Sequence, residues 1–202
     1  NKKFKPRSNN FKFKKTSKKK KTKNFDYDVF VVGGGSAGLA FVKEAIKIKK
    51  DLKVGLCDFV DKSPQGNTWG LGGTCLNVGC IPKKLLYHAS YLNNLCQNEL
   101  QDYGIKYLDK KIFNWKVLVN NIQQYIKSQN FNNRTDLLNN NINYFNKKAK
   151  FLNSHLLLLK DKDGKSETIS CEKIVIATGG RPRYLDIPGS QEFSISSDDL
   201  FF

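Results

Sequence analysis

The pattern of apolar and polar residues near the start of the chain predicts a βαβ unit. Residues 28–32 (DVFVV) form a short apolar run, which is typical of a buried parallel strand. A glycine cluster follows, then a helical pattern from about Ala37 to Lys49, and residues 54–59 (VGLCDF) predict a second strand. A strand, a glycine turn, a helix and a strand in this order are typical of a doubly wound fold.

The middle of the chain has the apolar spacing of helices. After the stretch 70–84 (GLGGTCLNVGCIPKK), the pattern is helical to about Leu95. Residues 113–130 predict another helix, and 131–139 can continue it, with Asn and Lys on the solvent side.

The last third of the chain predicts β structure. The runs 155–159 (HLLLL) and 167–171 (ETISC) flank a turn at Asp163-Gly164, which is a strong hairpin signal. The run 172–177 (EKIVIA) predicts a further buried strand, which leads into Thr178-Gly179-Gly180.

The net charge of +17 is concentrated at the start of the chain, where residues 1–24 hold twelve Lys/Arg and no acid. We therefore predict a disordered basic tail at 1–25 and a folded domain at 26–202. Phenylalanines between the lysines fit an arm for nucleic acid or an anionic membrane, or an organelle-targeting leader. The alternative is a drift of composition towards Lys and Asn. The chain lacks methionine, so we expect a processed chain or a fragment.

The cluster GGGSAG at 33–38 fits the G-x-G-x-x-G pattern of dinucleotide-binding loops. In such loops Gly33 makes the tight turn, Gly35 lets a pyrophosphate approach the backbone, and Gly38 lets the helix pack on the strand. Asp58 follows 20 residues after Gly38, where it can accept hydrogen bonds from ribose hydroxyls. A structural turn and a surface aspartate are the alternative. The loop alone does not choose between FAD and NAD(P).

Four residues separate Cys75 from Cys80, and this spacing has three interpretations. An iron–sulfur pattern needs another cysteine within about three residues, but the next is Cys96. A zinc site of Cys75, Cys80, His88 and Cys96 fits no common spacing. We therefore favour a redox-active dithiol/disulfide over two inert cysteines, and we expect no metal.

The residues after Cys80 support the redox interpretation. Pro82 fits the first turn of a helix, which places Cys80 at a helix N-terminus, where a thiolate is stabilised. Lys83 and Lys84 add positive charge nearby. A dithiol beside a dinucleotide fold needs an electron source, and a flavin passes two electrons to a disulfide readily. The remaining cysteines are expected to be buried and unreactive, namely Cys57, Cys96 and Cys171.

The run 69–85 (WGLGGTCLNVGCIPKKL) resembles the FAD-dependent disulfide oxidoreductases, which include glutathione reductase, dihydrolipoamide dehydrogenase and high-molecular-weight thioredoxin reductase. The long spacer 58–69, with 177–189 (ATGGRPRYLDIPG) and 195–201 (ISSDDLF), is similar to the thioredoxin reductase branch. The resemblance implies an α/β, Rossmann-like FAD-binding domain of three layers, with a parallel sheet plus a β-meander. It also implies that the chain ends before the NADPH and interface domains.

The resemblance implies roles for individual residues. Cys80 would face the isoalloxazine ring and form the charge-transfer pair, and Cys75 would pass electrons onward. Lys83 would lie near the reactive flavin nitrogen, and Arg181 and Arg183 would reach an NADPH phosphate. The full set of implied FAD contacts is Gly33, Gly35, Ser36, Ala37, Gly38, Asp58, Phe59, Thr74, Cys75, Gly79, Cys80, Lys83, Lys148, Ala149, Thr178 and Gly179.

The implied function is a homodimeric, NADPH-dependent reductase in cell redox homeostasis. Electrons would run from NADPH to FAD, then to the Cys75–Cys80 disulfide, and on to thioredoxin or a similar protein disulfide. Glutathione reductase and a fused thioredoxin–glutathione reductase are the alternatives. A nucleic-acid-binding protein that acts through its basic arm is less favoured, and we expect no specific nucleic-acid or membrane partner. The expected compartment is the cytoplasm, with a mitochondrial or other organellar location left open by the tail.

Overall fold

The structure is a computed structural model that describes residues 25–105 and 113–202. The strands within those residues are β1 (Tyr27–Val32), β2 (Val54–Cys57), β3 (Asn143–Phe145), β4 (Lys148–Asn153), β5 (Leu156–Lys160) and β6 (Ser166–Ile176). The helices there are α1 (Ser36–Ile48), α2 (Gly73–Val78), α3 (Cys80–Asn94), α4 (Trp115–Asn139), α5 (Ser190–Phe193) and α6 (Ser197–Leu200). A π-helical turn at Leu95–Glu99 and a 3-10 turn at Leu100–Tyr103 follow α3.

The described strands form one six-stranded sheet in the order β3-β2-β1-β6-β5-β4. The strands β3, β2, β1 and β6 run parallel to one another, which agrees with the βαβ unit predicted from 28–59. The strands β4, β5 and β6 form the antiparallel meander. The predicted fold class, a Rossmann-like parallel sheet plus a β-meander, is confirmed.

The strand β6 differs from the prediction, which treated 167–171 and 172–177 as two strands. It is one strand of 11 residues. Its first part, up to Ser170, pairs antiparallel with β5, and its second part, from Cys171, pairs parallel with β1. No turn residue separates the two parts, so the strand continues from the meander into the parallel sheet. The predicted turn at Gly164 is present, with φ of +86°.

Side chains of β1 alternate between two apolar clusters, one on each face of the sheet. Val29 and Val31 pack with residues of α1, β2 and α4, including Leu39 and Leu137. Phe30 and its neighbours pack on the other face against the buried leucines of β5. Because both faces of β1 are covered, the strand reads as a continuous apolar run rather than an alternating one. These layers account for the expected three-layer arrangement.

The cysteines outside the pair have different environments. Cys57 and Cys171 are buried, as predicted. The prediction was wrong for Cys96, which is half-buried because the π-helical turn carries it to the side of a cavity of about 720 Å³ rather than into the core. Among the described residues, no helix is both long and apolar enough to span a bilayer.

Candidate functional site

The parallel strands end at one edge of the sheet, and backbone hydrogen bonds join the residues there. The N–H groups donate to carbonyls of the neighbouring strand: Gly33 to Cys57 at 2.8 Å, Asp58 to Phe145 at 3.0 Å, and Ala177 to Val32 at 2.8 Å. Ligands of doubly wound folds bind outside this carboxyl edge. The backbone therefore places the glycine loop and Asp58 side by side where such a ligand would bind.

Two glycines of the loop are required by the fold. Gly33 has φ of +111°, and a Cβ there would lie 2.2 Å from the carbonyl oxygen of Ala177. A Cβ on Gly38 would lie 1.9 Å from the carbonyl oxygen of Gly33. A side chain at either position would push the loop away from the strands.

Gly35 has no such steric reason to be glycine. A Cβ built on it meets only the Cα of Gly73, at an ordinary contact distance of 3.5 Å. The backbone at Gly35 is therefore open on the side where a pyrophosphate would approach, and this open space fits a dinucleotide.

The helix α1 begins directly after Gly35 and presents its N-terminus at the same edge. Its first turn contains no acid, and its cap residue is Gly35, which has no side chain to bind the free N–H groups. Ser36 and Ala37 are exposed there. Unpaired N–H groups and the positive end of the helix dipole favour an anionic group at this position.

A cavity of about 200 Å³ lies at the strand edge, and we call it the strand-edge pocket. Six of its nine wall residues belong to the predicted set of FAD contacts, and they come from four separate parts of the chain. Its walls are Val32, Gly33, Cys57, Asp58, Phe59, Lys147, Lys148, Ala149 and Thr178. Gly179 follows Thr178 with φ of +64° and open space where a Cβ would be.

Asp58 is an energetically costly group in this pocket. Burial raises the pKa of its carboxyl group above the usual range, although the backbone N–H groups of Gly34 and Phe59 act in the opposite direction. Donors from a ligand would compensate the buried carboxylate. Burial, with the charge of Asp58, raises the pKa of the Cys57 thiol to about 12, so Cys57 is not a reactive thiolate at neutral pH.

The lysines beside the pocket are both engaged in ion pairs. Lys148 Nζ lies 2.6 Å from a carboxylate oxygen of Asp61, and Lys147 Nζ lies 2.6 Å from one of Glu167. Their positive charges are therefore partly balanced by this chain's own acids.

The segment 70–80, which we call the cysteine turn, lies directly against the glycine loop. The Gly72 N–H donates to the Gly34 carbonyl at 3.0 Å. Gly73 has φ of +70°, and a Cβ there would lie 2.6 Å from the Cα of Gly35. The helix α2, which carries Thr74 and Cys75, therefore starts in contact with the loop.

Cys75 and Cys80 are thiols in the structure and are close enough to influence each other. A hydrogen bond with the Cys80 thiol raises the pKa of Cys75, burial acts in the same direction, and the Ser36 hydroxyl lowers it. Cys80 is exposed and is the first residue of α3, the helix N-terminus that Pro82 predicted.

The remaining predicted residues lie near the cysteines rather than in the strand-edge pocket. Gly79 separates α2 from α3, and a Cβ there would lie 2.9 Å from the carbonyl oxygen of Thr74. Lys83 is exposed in the first turn of α3. The candidate site thus has two parts, the strand-edge pocket and the cysteine turn, which meet at the glycine loop.

Sequence reasoning missed several polar residues that support the site. Asn77 and Asn130 bind the backbone of the cysteine turn. Arg181 was expected to reach an NADPH phosphate, but its Nε lies 2.7 Å from Asp198 and its guanidinium lies 4.7 Å from the ring centre of Trp69. No periodicity marks such residues, and only the Asn within the cysteine motif could have been a signal.

Two further predictions from the sequence concern a metal site and the basic tail. Over 25–105 and 113–202, no group of three or more His, Cys, Asp and Glu side chains is placed to hold a metal ion. The predicted tail at 1–25 lies almost wholly outside the described residues.

A doubly wound sheet whose glycine loop contacts a cysteine pair defines a dinucleotide-dependent redox protein. The chain belongs to the pyridine nucleotide-disulphide oxidoreductase family, whose sequence profile matches residues 27–200. Thioredoxin reductase SEP1 of Emiliania huxleyi is 50% identical to it over 175 residues. This match covers 87% of the chain but 34% of that protein, so the chain spans about a third of its relative. The family resemblance is confirmed.

Proposed function

We propose that the chain is the FAD-binding part of an NADPH-dependent thioredoxin-disulfide reductase. The observation that carries the proposal is the contact between the glycine loop and the cysteine turn, through the hydrogen bond from Gly72 to Gly34. A dinucleotide on the loop would end beside the two thiols. The similarity to a thioredoxin reductase supports thioredoxin, or a similar protein disulfide, as the final acceptor.

The residues of the strand-edge pocket fit the adenosine half of FAD. Asp58 would accept from the ribose hydroxyls, with Phe59 beside it, and the backbone of Lys148 and Ala149 would contact the adenine. Thr178 and Gly179 would form a second turn against the cofactor. The half-buried carboxylate of Asp58 supports this assignment, because ligand hydroxyls would supply donors in place of the water that partial burial removes.

The residues between the two parts fit the rest of the cofactor. The pyrophosphate would bind at the N-terminus of α1, to the loop residues Gly33, Gly35, Ser36, Ala37 and Gly38. Thr74, Gly79 and Lys83 would line the flavin, and Cys80 is exposed where the ring would cover it. When bound, FAD would supply a two-electron carrier between NADPH and the cysteine pair.

The cysteines themselves perform thiol–disulfide exchange. The Cys75 thiolate attacks one sulfur of the target disulfide, so that a mixed disulfide forms and the other target sulfur leaves as a thiolate. The Cys80 thiolate then attacks the Cys75 sulfur and releases the second target thiolate. The target gains two electrons and takes up two protons, and Cys75 and Cys80 are left as a disulfide. The spacing of one thiol on α2 and the other on α3 suits this second, intramolecular attack.

The experiment uses the full-length protein that contains this chain. We expect it to purify yellow, to show a long-wavelength band on titration with dithionite, and to reduce thioredoxin with NADPH. Cys80→Ser should keep the yellow colour and lose that band, whereas Cys96→Ser, outside the site, should keep both. A colourless protein, or a band that survives Cys80→Ser, would contradict the assignment. Reduction of glutathione disulfide in place of thioredoxin would instead support the alternative function, a glutathione reductase.

The remaining parts of the proposal concern the whole protein. We propose that the full-length protein is a homodimer in the cytoplasm. Its NADPH site and its dimer contacts would be formed by parts of the protein outside this chain. Size measurement of the full-length protein and cell fractionation test these two points.

A further inference from the structure

Two side-chain amides, one buried and one half-buried, hold the turn that precedes Cys75. Asn77, on α2, is only 1% exposed. Its Nδ2 donates to the carbonyl oxygens of Gly70 at 3.1 Å and Gly73 at 2.8 Å. Asn130, on α4, donates to the carbonyl of Leu71 at 2.7 Å and to Asn77 Oδ1 at 2.9 Å. Three carbonyls of one turn are thus bound by two side chains that lie 53 residues apart.

The two amides use all of their donors within the turn and between themselves. A side-chain amide carries two N–H donors, and both donors are used on Asn77 and on Asn130. The Asn77 oxygen accepts the last of these bonds, so each amide has one orientation that satisfies its neighbours. Removal of Asn77 would take a donor from the carbonyls of Gly70 and Gly73. Removal of Asn130 would take one from the carbonyl of Leu71, a buried residue.

The helix α2 depends on such support because it has little of its own. It contains six residues, which is too short for a helix to be stable by itself. Its cap residue is Gly72, which has no side chain to cap the helix. Both Gly72 and Gly73 have positive φ. Cys75 is the third residue of α2. The amides therefore hold the turn that sets the position of the Cys75 sulfur.

We propose that Asn77 and Asn130 are positioning residues of the redox pair, which keep Cys75 at bonding distance from Cys80 while the disulfide opens and closes. This inference rests on the redox function proposed for the two cysteines. Two thiols held close together have a high effective concentration, and this favours the disulfide over the dithiol. A looser α2 should shift the equilibrium towards the dithiol.

The test is the equilibrium of the cysteine pair with glutathione in the full-length protein. Two glutathione molecules reduce the Cys75–Cys80 disulfide to two thiols and become one glutathione disulfide, so electrons and atoms balance. The oxidised fraction is counted by thiol labelling and mass spectrometry across buffers of known ratio. Asn77→Asp keeps the size of the side chain but loses both donors. We expect about a tenfold smaller equilibrium constant for disulfide formation, which corresponds to about 30 mV towards positive potential.

Two further variants and a control separate positioning from general stability. Asn130→Ser removes the second amide and should shift the constant in the same direction by a smaller factor. In Gly70→Ala the new Cβ would lie 3.0 Å from Asn130 Cγ, so it displaces the amide without removing a donor, and the same direction is expected. The control is Asn121→Asp, an exposed position on α4, where the constant should stay unchanged.

The outcomes distinguish failure of the inference from failure of the proposed function. If the wild-type cysteines never form a disulfide, the proposed function fails. If the wild-type pair titrates, but the variants only melt at lower temperature and keep its equilibrium constant, the amides are structural and the inference is overturned. Should Asn77→Asp not fold, Asn130→Ser and Gly70→Ala decide the question by the same measurement.

Discussion

The strand-edge pocket and the cysteine turn are held in place by different parts of the molecule. At the strand-edge pocket, backbone atoms of adjacent strands bind one another, and Gly33 and Gly38 leave no room for other residues. At the cysteine turn, the short helix α2 is held by side chains that come from α4 and from the region of α6. The dinucleotide end is therefore held by backbone hydrogen bonds and by the absence of side chains at two glycines, and the redox end by side-chain amides.

The largest expected effect tests the steric definition of the glycine loop. Gly38→Ala puts a Cβ 1.9 Å from the Gly33 carbonyl oxygen, so we expect a loss of about 3 kcal/mol in the free energy of unfolding. Gly35→Ala is the matched control, with only an ordinary contact at 3.5 Å, and should cost about 0.5 kcal/mol or less. Urea unfolding of the cofactor-free proteins measures both. Equal losses would mean that the loop is not held against β1 as described.

The next effect tests the hydrogen bonds of Asp199, a residue of the helix that lies against α2. Asp199, on α6, is buried, and α6 packs against α2. Its carboxylate accepts hydrogen bonds from the Ser63 hydroxyl and from Asn67 Nδ2, which ties the 59–69 spacer to α6. Asp199→Ala leaves these donors without a partner, so we expect a loss of about 2 kcal/mol, measured by denaturant unfolding.

The same substitution has a predicted pH dependence. Burial acts to raise the pKa of Asp199, but hydrogen bonds from Ser63, Asn67 and other groups hold it below the usual value of 3.8. A lowered pKa gives stability that is present above 3.8 and is lost as the pH falls further. The difference between wild type and Asp199→Ala should therefore shrink below pH 3.8. The control is Asp186→Ala, which removes an exposed acid. It should change neither the free energy of unfolding nor its dependence on pH.

A third prediction concerns Asp58, whose replacement should change both the pH dependence of stability and the affinity for FAD. Because burial raises the pKa of Asp58, the folded protein binds that proton more tightly than the unfolded chain. The cofactor-free wild type should thus lose stability as the pH rises above 3.8, and Asp58→Asn should not. The variant should nevertheless bind FAD about 30-fold more weakly, for a lost charged hydrogen bond of about 2 kcal/mol. Equilibrium dialysis measures the affinity, and an unchanged value would remove Asp58 from the ribose site.

The smallest effect is expected at Lys148. Its ion pair with Asp61 is exposed on both sides, so Lys148→Ala should change the free energy of unfolding by about 0.5 kcal/mol or less. FAD affinity should also stay the same, because the proposed contact uses the backbone. A clear loss of affinity by dialysis would show that the ammonium group itself contacts the cofactor.

The sequence predicted those elements whose residues differ most from their surroundings. The apolar runs of β1 and β2 and the glycines between them led to the βαβ unit and the dinucleotide loop. The strand β3 was missed, and β4 was not distinguished as a separate strand within the β structure predicted for the last third of the chain. Both lie in or beside an Asn- and Lys-rich stretch, and most of their side chains are exposed at the edges of the sheet. The single strand β6 was predicted as two strands, although no turn residue separates the part that pairs with β5 from the part that pairs with β1.

The glycine loop and the cysteine pair follow from the residues alone, because positive φ angles, missing side chains and short thiol spacing are local properties. Their contact with each other is a property of the tertiary structure. So is the placement of Asn130 beside Asn77, and of Asp199 beside Ser63, over separations of 53 and 136 residues. A hydrogen bond has no periodicity along the chain, and only the packing of α4 and α6 onto the cysteine turn decides which polar groups meet.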